Sequence, residues 1–159
     1  LVKGMQLAHL ASAQATYVVE KLAGKEPSVS LTAVPGCVYT DPEIASVGLT
    51  EDESKEQGRS IQVGKFIMSA NGKSLITKEE RGFIKILAEK ESHVILGAQM
   101  MCARATDMIG ELVTAVANQL TVQQLLKGMR AHPTYNEGIA EALEEIEGGA
   151  VHVMPKKKR

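Results

Sequence analysis

There is no tryptophan in this chain, and two phenylalanines with three tyrosines hold aromatics to 3% of its residues. A core must therefore come from Leu, Ile, Val, Met and Ala. Cysteine is just as scarce. Cys37 and Cys102 lack CxxC spacing, which excludes a disulfide framework, and each reads as a core thiol. Neither sign of charge dominates: 18 Lys plus Arg stand against 19 Asp plus Glu, a net charge of −1. A general nucleic-acid binder needs a basic excess to displace phosphate counterions, so that class is excluded. Apolar runs stop after a handful of residues, far short of a bilayer core of roughly 30 Å. The four histidines, His9, His93, His132 and His152, form no HxxxH pair, so no structural metal site is expected. No GxG occurs, so no dinucleotide-binding fingerprint is present.

What remains is 159 residues, 44% hydrophobic and 23% charged, the balance of one globular domain. The chain opens on Leu1, without a methionine or a leader-like segment, and reads as a piece of a longer polypeptide. Leu7, Leu10, Ala11, Val18, Val19 and Leu22 recur at helical spacing before Gly24, predicting a helix over about 5–23. A β-rich stretch over 31–40 and a second over 44–49 flank a bend at Asp41-Pro42. Thr50 and Glu53 form a capping box for a short helix. A third strand is expected over 61–68, with Asn71-Gly72 as a turn after it. Apolar runs over 83–88 and 94–101, divided by Glu89-Lys90-Glu91-Ser92, read as a hairpin. Beyond 103 the period turns helical. Met108, Ile109, Leu112, Val113 and Val116 share one face, and Thr121 with Gln124 caps a shorter helix. A last helix after Thr134 turns Ile139, Leu143 and Ile146 inward, with five glutamates expected to face solvent. The pattern is an α+β domain: an antiparallel sheet of about five strands layered against helices.

Two places could carry chemistry. In Ala131-His132-Pro133-Thr134-Tyr135-Asn136-Glu137, the proline keeps His132 out of the α region at a helix entrance. Glu137 follows on the first turn, close enough to reach back to the imidazole. A carboxylate on one ring nitrogen fixes the tautomer and raises the basicity of the other, as a general acid–base needs. Thr134 and Glu137 also spell a capping box, so the carboxylate could serve only the helix start. The second place is Met5-Gln6-Leu7-Ala8-His9, where free helix N–H groups suit an electron-rich ligand, or simply open an amphipathic helix.

The order of segments carries a resemblance. The Met5–His9 helix start, Tyr39-Thr40-Asp41-Pro42-Glu43-Ile44-Ala45-Ser46-Val47-Gly48, Gly82-Phe83-Ile84-Lys85-Ile86, and Ala131-His132-Pro133-Thr134 with Glu137 follow one another as expected for one family. From residue 4 to about 146, the sequence resembles the C-terminal third of the pyridine nucleotide–disulfide oxidoreductases, nearest to the members that oxidise dihydrolipoamide with NAD. His-Pro-Thr also occurs in glutathione- and trypanothione-reducing members. Asp107 stands where the lipoamide-type enzymes usually carry Glu.

The resemblance implies an organisation and a set of roles. Residues 1–24 would be a helix packing toward an FAD-binding domain outside this chain, 25–149 the dimerisation domain, and 150–159 a solvated basic tail. His132 and Glu137 would be catalytic, entering the partner subunit's active site, and the bond before Pro133 would be cis. Leu7, Ala8 and His9 would contact the flavin of their own subunit. FAD and NAD would serve the full-length enzyme, and this chain alone would hold neither cofactor. The expected partners are a second copy of the chain and the lipoyl-bearing component of a multienzyme complex, with no nucleic acid and no membrane. The setting would be cytoplasmic redox homeostasis. The family's redox cysteine pair is missing here, so the chain alone should not turn over. A stand-alone dimerisation module without chemistry stays open beside the enzyme reading.

Overall fold

A computed structural model describes residues 4–153; the tail beyond 153 lies outside the described residues. The alternating segments form five strands: β1 (Gly36–Val38), β2 (Glu43–Gly48), β3 (Ile61–Ile67), β4 (Phe83–Glu89) and β5 (Ile95–Cys102). They pair throughout as antiparallel neighbours in the order β1-β2-β5-β4-β3. Register aligns the apolar residues. Ile84 sits opposite Met100 and Ile86 opposite Ala98, and the same rows continue through Phe66 on β3 and Ala45 on β2. Strand side chains alternate, so these residues share one face.

Two helices cover that face. α4 (Ala105–Ala117) packs on β2 and β5, and α6 (Glu137–Glu147) on β3 and β4. Met108, Ile109 and Leu112 from α4, with Ile139 and Leu143 from α6, close a continuous core with the sheet. The remaining helices are α1 (Ala8–Leu22), α2 (Glu51–Glu56), α3 (Gly72–Thr77) and α5 (Val122–Leu126). Both expected capping boxes close reciprocally, at Thr50 with Glu53 and at Thr121 with Gln124. None of the described helices is long and apolar enough to cross a membrane.

β3 and α6 approach unusually closely. A Cβ added at Gly64 would stand 1.8 Å from the carbonyl oxygen of Ala142. Only a residue without a side chain lets the helix lie on the strand there.

Four expectations need correction. Of the stretch 31–40, only Gly36–Val38 pairs as a strand. Pro35 offers no N–H to a ladder, and β1 is an edge strand, so nothing recruits the residues before it. Asn71-Gly72 opens a helix instead of making a turn: the Asn71 side chain accepts the Ser74 N–H and N-caps α3. Four of the five glutamates of α6 are engaged, not merely solvated. Glu137, Glu141 and Glu147 pair with His132, His152 and His93, and Glu145 accepts the Lys65 N–H from β3. Three histidines from separate segments and one strand edge supply the partners that a single-helix view cannot see. Cys37, finally, is half-buried on the edge strand rather than in the core.

Cys102 is the core thiol. Burial, with Glu43 nearby, pushes its pKa up to about 12, and the same two causes raise Cys37 less. Thiol labelling of the native chain near pH 8 should therefore modify Cys37 first and reach Cys102 only on unfolding. Equal native rates at both positions would contradict this packing.

Candidate active site

The site is a loop, Gly128 to Asn136, slung between α5 and α6 and held from both sides. On the α4 side, the buried Arg130 guanidinium pairs with Glu111 and also donates to the Gly128 carbonyl at 3.0 Å. Asn136 donates to the other Glu111 oxygen at 3.3 Å. Glu111 thus ties both shoulders of the loop to one helix. On the α3 side, Tyr135 shares a hydrogen bond with Thr77 at 2.7 Å and donates to Glu79.

Within this frame the structure brings the two predicted catalytic residues together. Glu137 Oε1 is 2.8 Å from His132 Nδ1, and Oε2 accepts the Thr134 N–H at 2.8 Å. One carboxylate therefore orients the ring and is itself oriented by the backbone. The capping box is only half made. The Thr134 hydroxyl donates to the Ala131 carbonyl at 2.7 Å, and Asn136, without a side-chain cap bond, precedes α6. The His132–Pro133 bond is cis, as the resemblance implied.

Burial pushes the Glu137 pKa up, but the Thr134 N–H, His132 and the His152 charge outweigh it, and the net shift is downward. A depressed carboxyl contributes stability above its ordinary range, and that contribution is lost as pH falls through the lowered folded value. The His132 side chain is 77% exposed. No described residue engages Nε2. With Nδ1 held by a carboxylate, the free nitrogen can accept a proton from a group outside this domain, and the carboxylate favours the imidazolium once formed.

Leu7, Ala8 and His9 form a separate group at the start of α1. Leu7 is extended and has no side-chain cap bond, and the first intrahelical bond runs from Ala11 N–H to the Leu7 carbonyl. The N–H groups of the first turn are thus open to an acceptor. His9 Nε2 lies 2.9 Å from the Pro35 carbonyl, tying α1 to the loop before β1. The rest of α1 turns away from the domain: Leu10 is buried, while Val18, Val19 and Leu22 are exposed.

Sequence reading missed Glu111, Arg130 and also Asn71, whose side chain donates to the Thr134 carbonyl at 3.1 Å, as supports of this loop. An asparagine before a helical run is an N-cap signal and could have been read. Glu111 and Arg130 carried none, since their pairing depends on how α4 packs. Glu43 shows the same limit. Its carboxylate accepts the Thr106 N–H and hydroxyl, at 2.9 and 2.6 Å, at the start of α4. It caps a helix 63 residues away in sequence, where the helix's own N-cap residue, Arg104, makes no side-chain cap hydrogen bond.

A family model for the pyridine nucleotide-disulphide oxidoreductase dimerisation domain matches residues 34–143. The chain belongs to this family. It is 42% identical over 153 residues to a dihydrolipoyl dehydrogenase of Bacillus subtilis, covering 96% of this chain and 32% of that protein. A dihydrolipoyl dehydrogenase of Halobacterium salinarum is 38% identical over 151 residues, covering 95% and 32% respectively. The chain thus spans about a third of the length of these curated relatives. LpdA from Mycobacterium tuberculosis superimposes on 89% of this chain with a TM-score of 0.84 at 24% identity, using 31% of its own length. The HOCl-induced flavoprotein disulfide reductase RclA from Escherichia coli gives a TM-score of 0.80 at 24% identity, covering 89% of this chain and 33% of its own. At that identity both bear on the fold alone. They share the five-stranded antiparallel sheet packed against helices.

Proposed function

We propose that this dimerisation domain supplies His132 and Glu137 as an acid–base pair to the partner subunit's active site in a flavin-dependent dihydrolipoamide dehydrogenase. The observation that carries the reading is the two-sided grip on Glu137. One oxygen holds His132 Nδ1 and the other is fixed by the Thr134 N–H, leaving an oriented imidazole at an exposed surface. In this account Nε2 accepts the proton released when a dithiol substrate attacks the redox disulfide, and gives it up to solvent once the redox disulfide has re-formed. The redox cysteines lie outside this chain, in the polypeptide that completes the enzyme.

FAD and NAD belong to that completed enzyme. When bound, the flavin relays electrons between the dithiol and the nicotinamide. From this chain, the open first turn of α1 fits the electron-rich edge of a flavin, with Leu7, Ala8 and His9 as one wall. The exposed Val18, Val19 and Leu22 fit a helix whose outer face is covered by the FAD-binding domain. The thiol substrate is a lipoyl group carried by a component of a multienzyme complex.

The full-length enzyme should reduce NAD when given dihydrolipoamide. Failure with dihydrolipoamide but turnover with another dithiol or disulfide would move it to a different branch, and no turnover at all would leave a dimerisation module. The 159-residue chain should sediment at micromolar concentration as a two-fold dimer. A clean monomer near 17.1 kDa would mean that this chain lacks a sufficient interface of its own.

A further inference from the structure

Asn71 is among the few buried polar residues, 3% exposed, at the junction of the turn after β3 with α3. Its side chain is used in two directions. Oδ1 accepts the Ser74 N–H at 2.9 Å, and Nδ2 donates to the Thr134 carbonyl at 3.1 Å across 63 residues of sequence. The amide cannot be turned over, because an N–H must meet an oxygen and a carbonyl must meet the NH2. Its own backbone is fixed as well: its N–H donates to the Met68 carbonyl, and its carbonyl accepts the Leu75 N–H.

The bond to Thr134 matters because of what Thr134 does next. Its N–H holds Glu137 Oε2, and Glu137 Oε1 holds His132 Nδ1. A buried donor on its carbonyl anchors the Thr134–Tyr135 peptide, and so restrains the adjoining Pro133–Thr134 peptide whose N–H aims the carboxylate. Tyr135 adds a second strut to the far end of α3, through Thr77. Both ends of α3 therefore hold the Thr134–Tyr135 part of the His132 loop.

We infer that Asn71 is a positioning residue for the acid–base pair, acting through Thr134 and Glu137 to hold the His132 imidazole in its working orientation. The inference rests on the acid–base reading of His132 and goes beyond it by assigning a residue that never meets substrate. A buried amide able to both accept and donate is required, since a carboxylate would set an oxygen against the Thr134 carbonyl.

The test uses the full-length holoenzyme with dihydrolipoamide and NAD. Asn71→Asp and Asn71→Ser both keep an oxygen to cap α3, but neither can donate to Thr134 as the amide does. Each should lower kcat between about tenfold and a hundredfold, the scale of a small misplacement at a catalytic group. The pH profile of kcat should shift, and KM for NAD should stay unchanged. In a His132→Gln background the same substitutions should add no further loss, because the group they position is gone. Wild-type kcat and pH profile in both variants would overturn the role. So would equal losses with and without His132, or loss of the fold in both, either of which makes Asn71 a stability residue alone. Full activity of His132→Gln by itself would instead remove the acid–base reading, and the positioning role with it.

Discussion

Replacing His132 by glutamine in the full-length enzyme is expected to lower turnover with dihydrolipoamide by roughly 10²- to 10⁴-fold, the range typical of a positioned acid–base group. Glutamine can fill part of the space but cannot take up a proton. The substitution should leave stability nearly unchanged, because the side chain is 77% exposed. Glu137→Gln should cost less in rate. Its amide oxygen can still accept the Thr134 N–H, and the imidazole remains, but the negative charge that favours the imidazolium is lost. Steady-state kcat for the two variants, with melting curves to show that both are folded, checks the order. A Glu137 defect larger than the His132 defect would contradict the assignment of roles.

The second large effect is on stability. Gly64→Ala places a methyl group 1.8 Å from the Ala142 carbonyl oxygen and 2.8 Å from Ile146 Cγ1, so α6 must move off β3. Overpacking of this kind costs about 1–3 kcal/mol and sometimes more. For a chain of this size each kcal/mol lowers Tm by about 2–4 °C. At a strand position with open space, the same change would raise stability slightly by restricting the unfolded chain. Gly72→Ala, in the first turn of α3, controls for the added methyl alone, since a Cβ there meets nothing within 4 Å. A Tm for Gly64→Ala equal to or above that of the parent would mean the helix and strand do not approach as closely as described. Because α6 also carries Glu137, the displaced helix should loosen the His132 grip as well.

Most of the fold was legible in the sequence because its signals are local. β-rich and apolar runs marked four of the five strands within a residue or two, and both capping boxes at Thr50 and Thr121 closed as read. The pairing of His132 with Glu137 was legible because proline and a helix start constrain the six residues from 132 to 137, whatever the rest of the chain does. What escaped depends on packing between distant segments. The run from Leu31 had β-type composition, yet without a neighbouring strand only Gly36–Val38 found a ladder. α3 is six residues long and lacks a strong apolar stripe, so Asn71-Gly72 passed for a turn. Two long-range bonds, from Asn71 to Thr134 and from Thr77 to Tyr135, give this helix a part in the site. The glutamates of α6 looked like a solvated face because their histidine partners at 93 and 152 come from other elements.

We propose that His132 acts across the subunit boundary, and a hybrid dimer decides the matter. One full-length subunit lacks its redox cysteines, and the other carries His132→Gln. If the base works in trans, one active site collects both defects while the other combines an intact cysteine pair with an intact His132. Activity should then return to about half that of the parent dimer, from two inactive homodimers. If His132 serves its own subunit, each site keeps one defect, and a hybrid as inactive as its parents would contradict the account.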